Sequence, residues 1–146
     1  MSYFTLQVTA AGPILTAYIT VSEGKAAALK EASQPVPKAV EIRALVDTGA
    51  SCTCVDPTVL RSLSLTPTGI VSVNTPSTGA TPHSANQYDV GLAIPNGRVP
   101  LFLQTVPVVE SDLLSAQGFH ALIGRDILEH CLLVYNGKEG LFSLAF

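Results

Sequence analysis

The chain has 146 residues, of which 47% are hydrophobic and 13% charged, with a formal net charge of -3 and a mean hydropathy of +0.39. That length suffices for one domain (residues 1–146) with its own core. The acidic balance lacks the basic footprint of a nucleic-acid binder, and no apolar run approaches the ~18 residues of a membrane span. The apolar excess points instead to a self-association surface.

Phe4, Leu6 and Val8 alternate with polar residues and read as a first strand, broken by Gly12-Pro13. Ile14 to Val21 is a second strand, rich in β-branched residues. Gly24 to Lys38 reads as a surface excursion of a hairpin, with one or two helical turns over Ala26 to Ala32. Val40 to Val46 returns as the third strand and delivers Asp47. A carboxylate at the end of an apolar strand is costly without a partner. Asp-Thr-Gly is also ordinary turn chemistry, so the rest of the chain must decide its meaning.

Thr53 and Val55 continue an extended segment. Asp56 is placed to cap a short helix with Pro57 at its first position, turning Val59, Leu60 and Leu63 inward. Ile70 to Val73 and Gln87 to Ile94 read as a hairpin whose long, small-residue tip lies near Ser77, Thr78, Gly79 and Ala80. Such a tip is either a plain surface loop or a lid over a cleft. Asn96-Gly97 reads as a two-residue turn into Val99 to Val109. Pro100 and Pro107 argue for edges or bends there. Glu110 to Gly118 is expected to hold a helical turn capped by Ser111 and stopped by Gly118.

In Ala121 to Leu128 a short apolar strand meets Gly124, and a helix follows. Cys131 to Tyr135, an Asn136-Gly137 turn and Leu141 to Phe146 form a closing hairpin. Its large apolar residues should be buried, and a partner chain is the expected cover. With some nine strands, one or two short helices and no internal repeat, the class is all-β, a closed or sandwiched sheet.

The strand ending in Asp47-Thr48-Gly49-Ala50-Ser51, followed later by Leu122-Ile123-Gly124-Arg125-Asp126-Ile127-Leu128, resembles the retropepsin-like aspartic proteases. Gln87-Tyr88-Asp89 is similar to the strand leaving the flap in retroviral members, and the likeness runs from about Val40 to Phe146. The resemblance implies a retropepsin-like acid-protease fold: a β-barrel-like single lobe, active as a two-fold homodimer on peptide or unfolded-protein substrates, without cofactor or metal. Asp47 would be the catalytic residue. In this chemistry two carboxyls about 3 Å apart share one proton, one activating water and the other polarising the scissile carbonyl. Only one Asp-Thr-Gly exists here, so a second chain must supply the other Asp47.

By the same likeness, Thr48 grips its two-fold mate and Gly49 lets backbone approach the carboxylate. Ala50 and Ser51 line the cleft with the tip residues Ser77, Thr78, Gly79 and Ala80. Ile123, Gly124, Arg125 and Asp126 form the supporting motif. Many retroviral members carry an acid where Ser51 stands, so Arg125 needs another partner. Bracing the dimer or the helix start is favoured for it over substrate contact.

A second function class stays open: a dimeric peptide-binding scaffold of the same fold with little or no turnover. The odd set of Cys52, Cys54 and Cys131 implies free thiols in a reducing compartment. Cys52 and Cys54 lie on one strand face, where core packing is favoured over a redox role. His83, His120 and His130 are not spaced to complete a metal site. The lack of a basic, apolar leader points to the cytoplasm, and excision from a larger polyprotein is common among such relatives.

Overall fold

The computed structural model describes residues 1–75 and 79–146. Strands β1 (Tyr3–Gln7) and β2 (Ile14–Val21) form where alternation is clearest. Helix α1 (Glu23–Glu31) follows, with Ser22 Oγ accepting the Lys25 N–H at its start. It buries none of its residues, so it is a solvated insertion in the β2–β3 hairpin. Strand β3 (Val40–Val46) then pairs antiparallel with β2, Ile14 opposite Leu45.

Next come β4 (Cys54–Val55) and α2 (Pro57–Ser62). After them lie β5 (Gly69–Val73), β6 (His83–Ile94) and β7 (Leu101–Glu110). The chain closes with α3 (Leu114–Gln117), β8 (Ala121–Ile123), α4 (Arg125–Leu128), β9 (Leu132–Asn136) and β10 (Leu141–Ala145).

Six strands, in the order β2-β3-β8-β4-β7-β6, close into a barrel because β6 also pairs with β2. The twelve-residue β6 makes this possible. Its first half pairs with β5, and its second half bridges β7 and β2. The ladder shifts at Gly91, where a Cβ would strike Thr20 Oγ1 and the Val21 carbonyl. A closed barrel leaves no edge in its ring. Its interior is fully buried aliphatic side chains, among them Ile19, Ile42, Val55, Leu60, Leu92, Ile123 and Ile127. Strands β1, β10 and β9 form a second, three-stranded sheet. Among the described residues no helix is long and apolar enough to cross a membrane.

Several sequence expectations change. Among the described residues four short helices form, because α1 takes up the first part of the excursion and the turns at α3 and α4 close as well. Ser111 does not cap α3. The Asp56 carboxylate takes that place, Oδ2 accepting the Leu113 and Leu114 N–H groups at 2.9 and 2.7 Å, while Gly118 (φ +79°) does end the helix. Asn96-Gly97 lies within a six-residue connection, since Pro95 and Pro100 cannot donate to a ladder. Asn136 belongs to β9, and the turn beyond it ends at Gly140 (φ +66°).

The closing hairpin is also covered differently. Phe142 and Leu144, on the central strand β10 between β1 and β9, are buried by their own chain in the same core as the barrel residues, with Phe4 edge-on to Phe146. No partner is needed to bury them. The opposite face of this sheet instead exposes Tyr3, Leu132 and Val134, which the register brings together through Ala145 and Ser143.

Candidate active site

Strands β3 and β8 run parallel, with Val46 opposite Ile123. Each ends in a loop on the same side of the barrel, so residues 47–53 and 124–126 meet although they are far apart in sequence. The Asp47 N–H donates to the Ile123 carbonyl at 3.0 Å, fixing the point where the carboxylate leaves the sheet. Asp47 Oδ1 accepts the Gly49 N–H at 2.8 Å. A Cβ at Gly49 would lie 3.1 Å from that oxygen, so a glycine there keeps the approach open. Oδ2 has no hydrogen bond among the described residues. Asp47 is half-buried, and Thr48 and Gly49 are exposed at the rim.

The second loop holds the first. The Arg125 N–H donates to the Ala50 carbonyl at 3.0 Å, and Arg125 Nη1 donates to the Thr48 carbonyl at 2.9 Å. The guanidinium is thus bonded to the backbone of the Asp47 loop. Ser51 is exposed, and Ala50 is half-buried between the two loops.

Beneath them sits a pair whose bonding was not apparent from the sequence. Thr53 is fully buried. Its N–H and Oγ1 both donate to the Asp126 carboxylate at 2.9 and 2.8 Å, and its Oγ1 accepts the Gly124 N–H at 3.1 Å. Asp126 therefore serves as a tether. The available signal was alternation: a threonine between two same-face cysteines must point the other way.

Gly124 lies against the Cys52 backbone. A Cβ there would come within 2.6 Å of both the Cys52 carbonyl carbon and oxygen. Gly124→Ala is therefore expected to cost about 2 kcal/mol through overpacking against backbone. Thermal unfolding of the purified variant checks this, and an unchanged midpoint contradicts it.

On the outward face of the ladder, Leu45, Leu122 and Cys54 stand side by side on β3, β8 and β4. All three are half-buried, and Leu45 lies two residues before Asp47. They form an apolar strip running from the carboxylate. The Cys54 thiol is pushed up to about 12, first by burial, then by neighbouring Cys52, Asp126 and Asp47, so it stays protonated. Gly79 and Ala80 are exposed at the end of the β5–β6 hairpin. Ser77 and Thr78 lie outside the described residues. A cavity of 350 Å³ opens at the base of that hairpin, lined by Ile70, His83, Asn86, Glu110 and Asp112. It takes in no residue of the Asp47 loop. Among the described residues no three of His, Cys, Asp and Glu are grouped to hold a metal ion.

No protein-family model and no curated protein matches the sequence. Among solved structures, the chain is similar to the crystal structure of a retropepsin-like aspartic protease from Rickettsia conorii. The TM-score is 0.61 at 16% identity, over 97% of this chain and 89% of that one. The chain has the retropepsin-like fold. At that identity the likeness concerns architecture. Within the retropepsin-like fold, the parallel β3–β8 pair and the loops that leave it are what present Asp47.

Proposed function

We propose that the chain is an aspartic endopeptidase in which Asp47 from each of two copies forms the catalytic dyad. The observation that carries this is the Asp47 carboxylate itself: one oxygen is oriented by the Gly49 N–H, the other is open, and the loop is braced by Arg125 and Gly124. The other acids near the loop are committed elsewhere. Asp126 holds Thr53, and Asp56 holds the starts of α2 and α3. A monomer thus offers half of the chemistry.

In the dimer the two Asp47 carboxyls share one proton. The ionised one removes a proton from a bound water as that water attacks the peptide carbonyl. The protonated one polarises the carbonyl oxygen and then stabilises the developing tetrahedral charge. Protonation of the leaving nitrogen completes the hydrolysis. No covalent intermediate is formed. The strip of Leu45, Leu122 and Cys54 favours an apolar substrate side chain next to the scissile bond.

The apolar outer face of the β1-β10-β9 sheet supports pairing of two copies. Thr48, exposed beside Asp47, is then available to its two-fold mate. Sedimentation with and without a statine-type peptide mimic tests the reading. The mimic is expected to draw the protein into a dimer that binds one mimic per two chains. A monomer that binds one mimic per chain, or no binding at all, overturns it.

A further inference from the structure

The cavity at the base of the β5–β6 hairpin takes no part in the proposed hydrolysis. At 350 Å³ it lies toward the small end of ligand sites, which run from about 300 to 1,000 Å³. The register shows which side of the sheet it is on. Val109 stands beside Cys54, on the face of the apolar strip, whereas Glu110 stands beside Val55, which is fully buried in the barrel. Alternation therefore turns Glu110 to the inner face, at the mouth of the barrel. Asn86 and the buried Tyr88 share that face of β6. The cavity thus lies behind the hairpin, across the sheet from Leu45, Leu122 and Cys54.

Glu110 is the fixed polar group of this cavity. Its Oε2 accepts the Tyr88 hydroxyl at 2.8 Å and the Asn86 side-chain NH₂ at 3.2 Å. Its Oε1 has no hydrogen bond among the described residues. The carboxylate is half-buried, where an opposite charge is worth more than in open water. Asp112 also lines the cavity, but its Oδ1 accepts the Ser115 hydroxyl at 2.6 Å. Pro57 and Ile70 supply apolar wall, one from the barrel body and one from the hairpin. Among the described residues no three acid, imidazole or thiol side chains gather to hold a metal ion, so the fitting cation is an organic one.

We propose that this cavity binds an organic cation on an apolar stem and thereby ties the hairpin to the barrel. The chemistry is that of an arginine or lysine side chain, or of a free alkylated cation. The head donates to Glu110 Oε1 in a charge-assisted hydrogen bond. The stem lies along Ile70 and Pro57, as the methylenes of long cationic side chains do. Ile70 belongs to β5, whereas Glu110 ends β7, so an occupant spans both bodies. Among the described strands β5 has β6 as its one ladder partner, which leaves the hairpin free to respond. Binding here is independent of the proteolytic reading.

The test is titration of the isotope-labelled full chain with n-butylguanidinium at neutral pH, read by amide NMR shifts and hydrogen exchange. Its uncharged isostere, n-butylurea, is the control. The expected result is saturable shifts at Ile70, Ala85 and Asn86, with a dissociation constant on the order of 1 mM. The urea should bind at least about tenfold more weakly. Exchange of the β5 amides should slow about tenfold at ten times the dissociation constant. Glu110→Gln is expected to weaken binding about tenfold or more, and Asp112→Asn by no more than about twofold. Equal binding of the urea, shifts centred on the Asp47 loop, or no saturable shift overturns the site. Equal losses in the two variants overturn the role of Glu110, and unchanged exchange overturns the tie. Should Glu110→Gln fail to fold, the charged and uncharged probes on the parent chain still decide. N-acetylarginine methylamide separates the sources. Binding as tight as that of n-butylguanidinium assigns the cavity to a peptide side chain, and weaker binding assigns it to a free cation.

Discussion

Asp47→Asn is expected to lower peptide-bond cleavage by a factor on the order of 10⁴ or more, because one substitution removes both the base and the acid of the dyad. Asparagine keeps an oxygen for the Gly49 N–H, so the loop geometry of the parent is preserved. Stability should move by no more than about 0.5 kcal/mol, as for other substitutions at half-exposed sites. Loss of activity with an unchanged unfolding midpoint is thus the signature. Mixing gives a sharper result. When variant and parent chains exchange freely, activity should follow the square of the parent fraction, since a dimer with one Asp47 lacks half of its dyad. Activity that falls only in proportion to dilution would mean that each chain works alone.

The largest expected effect on folding belongs to Asp56, which is 2% exposed. Burial raises its pKa, yet the Thr58 hydroxyl and the N–H groups of Leu114, Thr58 and Leu113 outweigh burial and hold it at about 2, against an ordinary 3.8. Asp56 Oδ1 takes the Thr58 bonds and Oδ2 takes Leu113 and Leu114. Asp56→Asn turns an NH₂ toward one of these donor pairs and is expected to cost about 3 kcal/mol. The carboxyl is more acidic in the folded chain than in the unfolded one. Its contribution is therefore complete above about pH 4 and is lost as pH falls toward 2, on the order of 2 kcal/mol over that window. Denaturant unfolding of parent and variant at pH 6, 4 and 3 checks both statements. The gap between them should narrow as the medium is acidified, and a constant gap would contradict the assignment.

Much of this arrangement is legible in the sequence where a local signal exists. Alternation marks β2 and β3, and Asp56-Pro57 marks the start of α2. Gly124 follows a short apolar run, as a close approach between loops requires. The bonds that hold the site are not local. Thr53 and Asp126 are 73 residues apart, and nothing near either one names the other. Ser111 carries the local cap signal for α3, yet Asp56 reaches the start of that helix from 57 residues away and takes its N–H groups instead. At the end of the chain, apolar content was visible but its cover was not. Phe142 and Leu144 find β1, and only the register shows that Tyr3, Leu132 and Val134 face outward.

The contacts that brace the Asp47 loop bridge 71 to 77 residues of chain. None can close while a ribosome is still short of Gly124. A nascent chain that has already emitted Asp47 therefore carries an unbraced carboxylate. Long-range closures of this kind also slow folding, because loop entropy is lost before the contacts return it. On the aspartic-protease reading proposed above, competence to hydrolyse is acquired only after β8 and α4 have been made, and a fragment cut anywhere before β8 would be inert. The loop around Asp47 is thus braced only once residues from both ends of the barrel have been made.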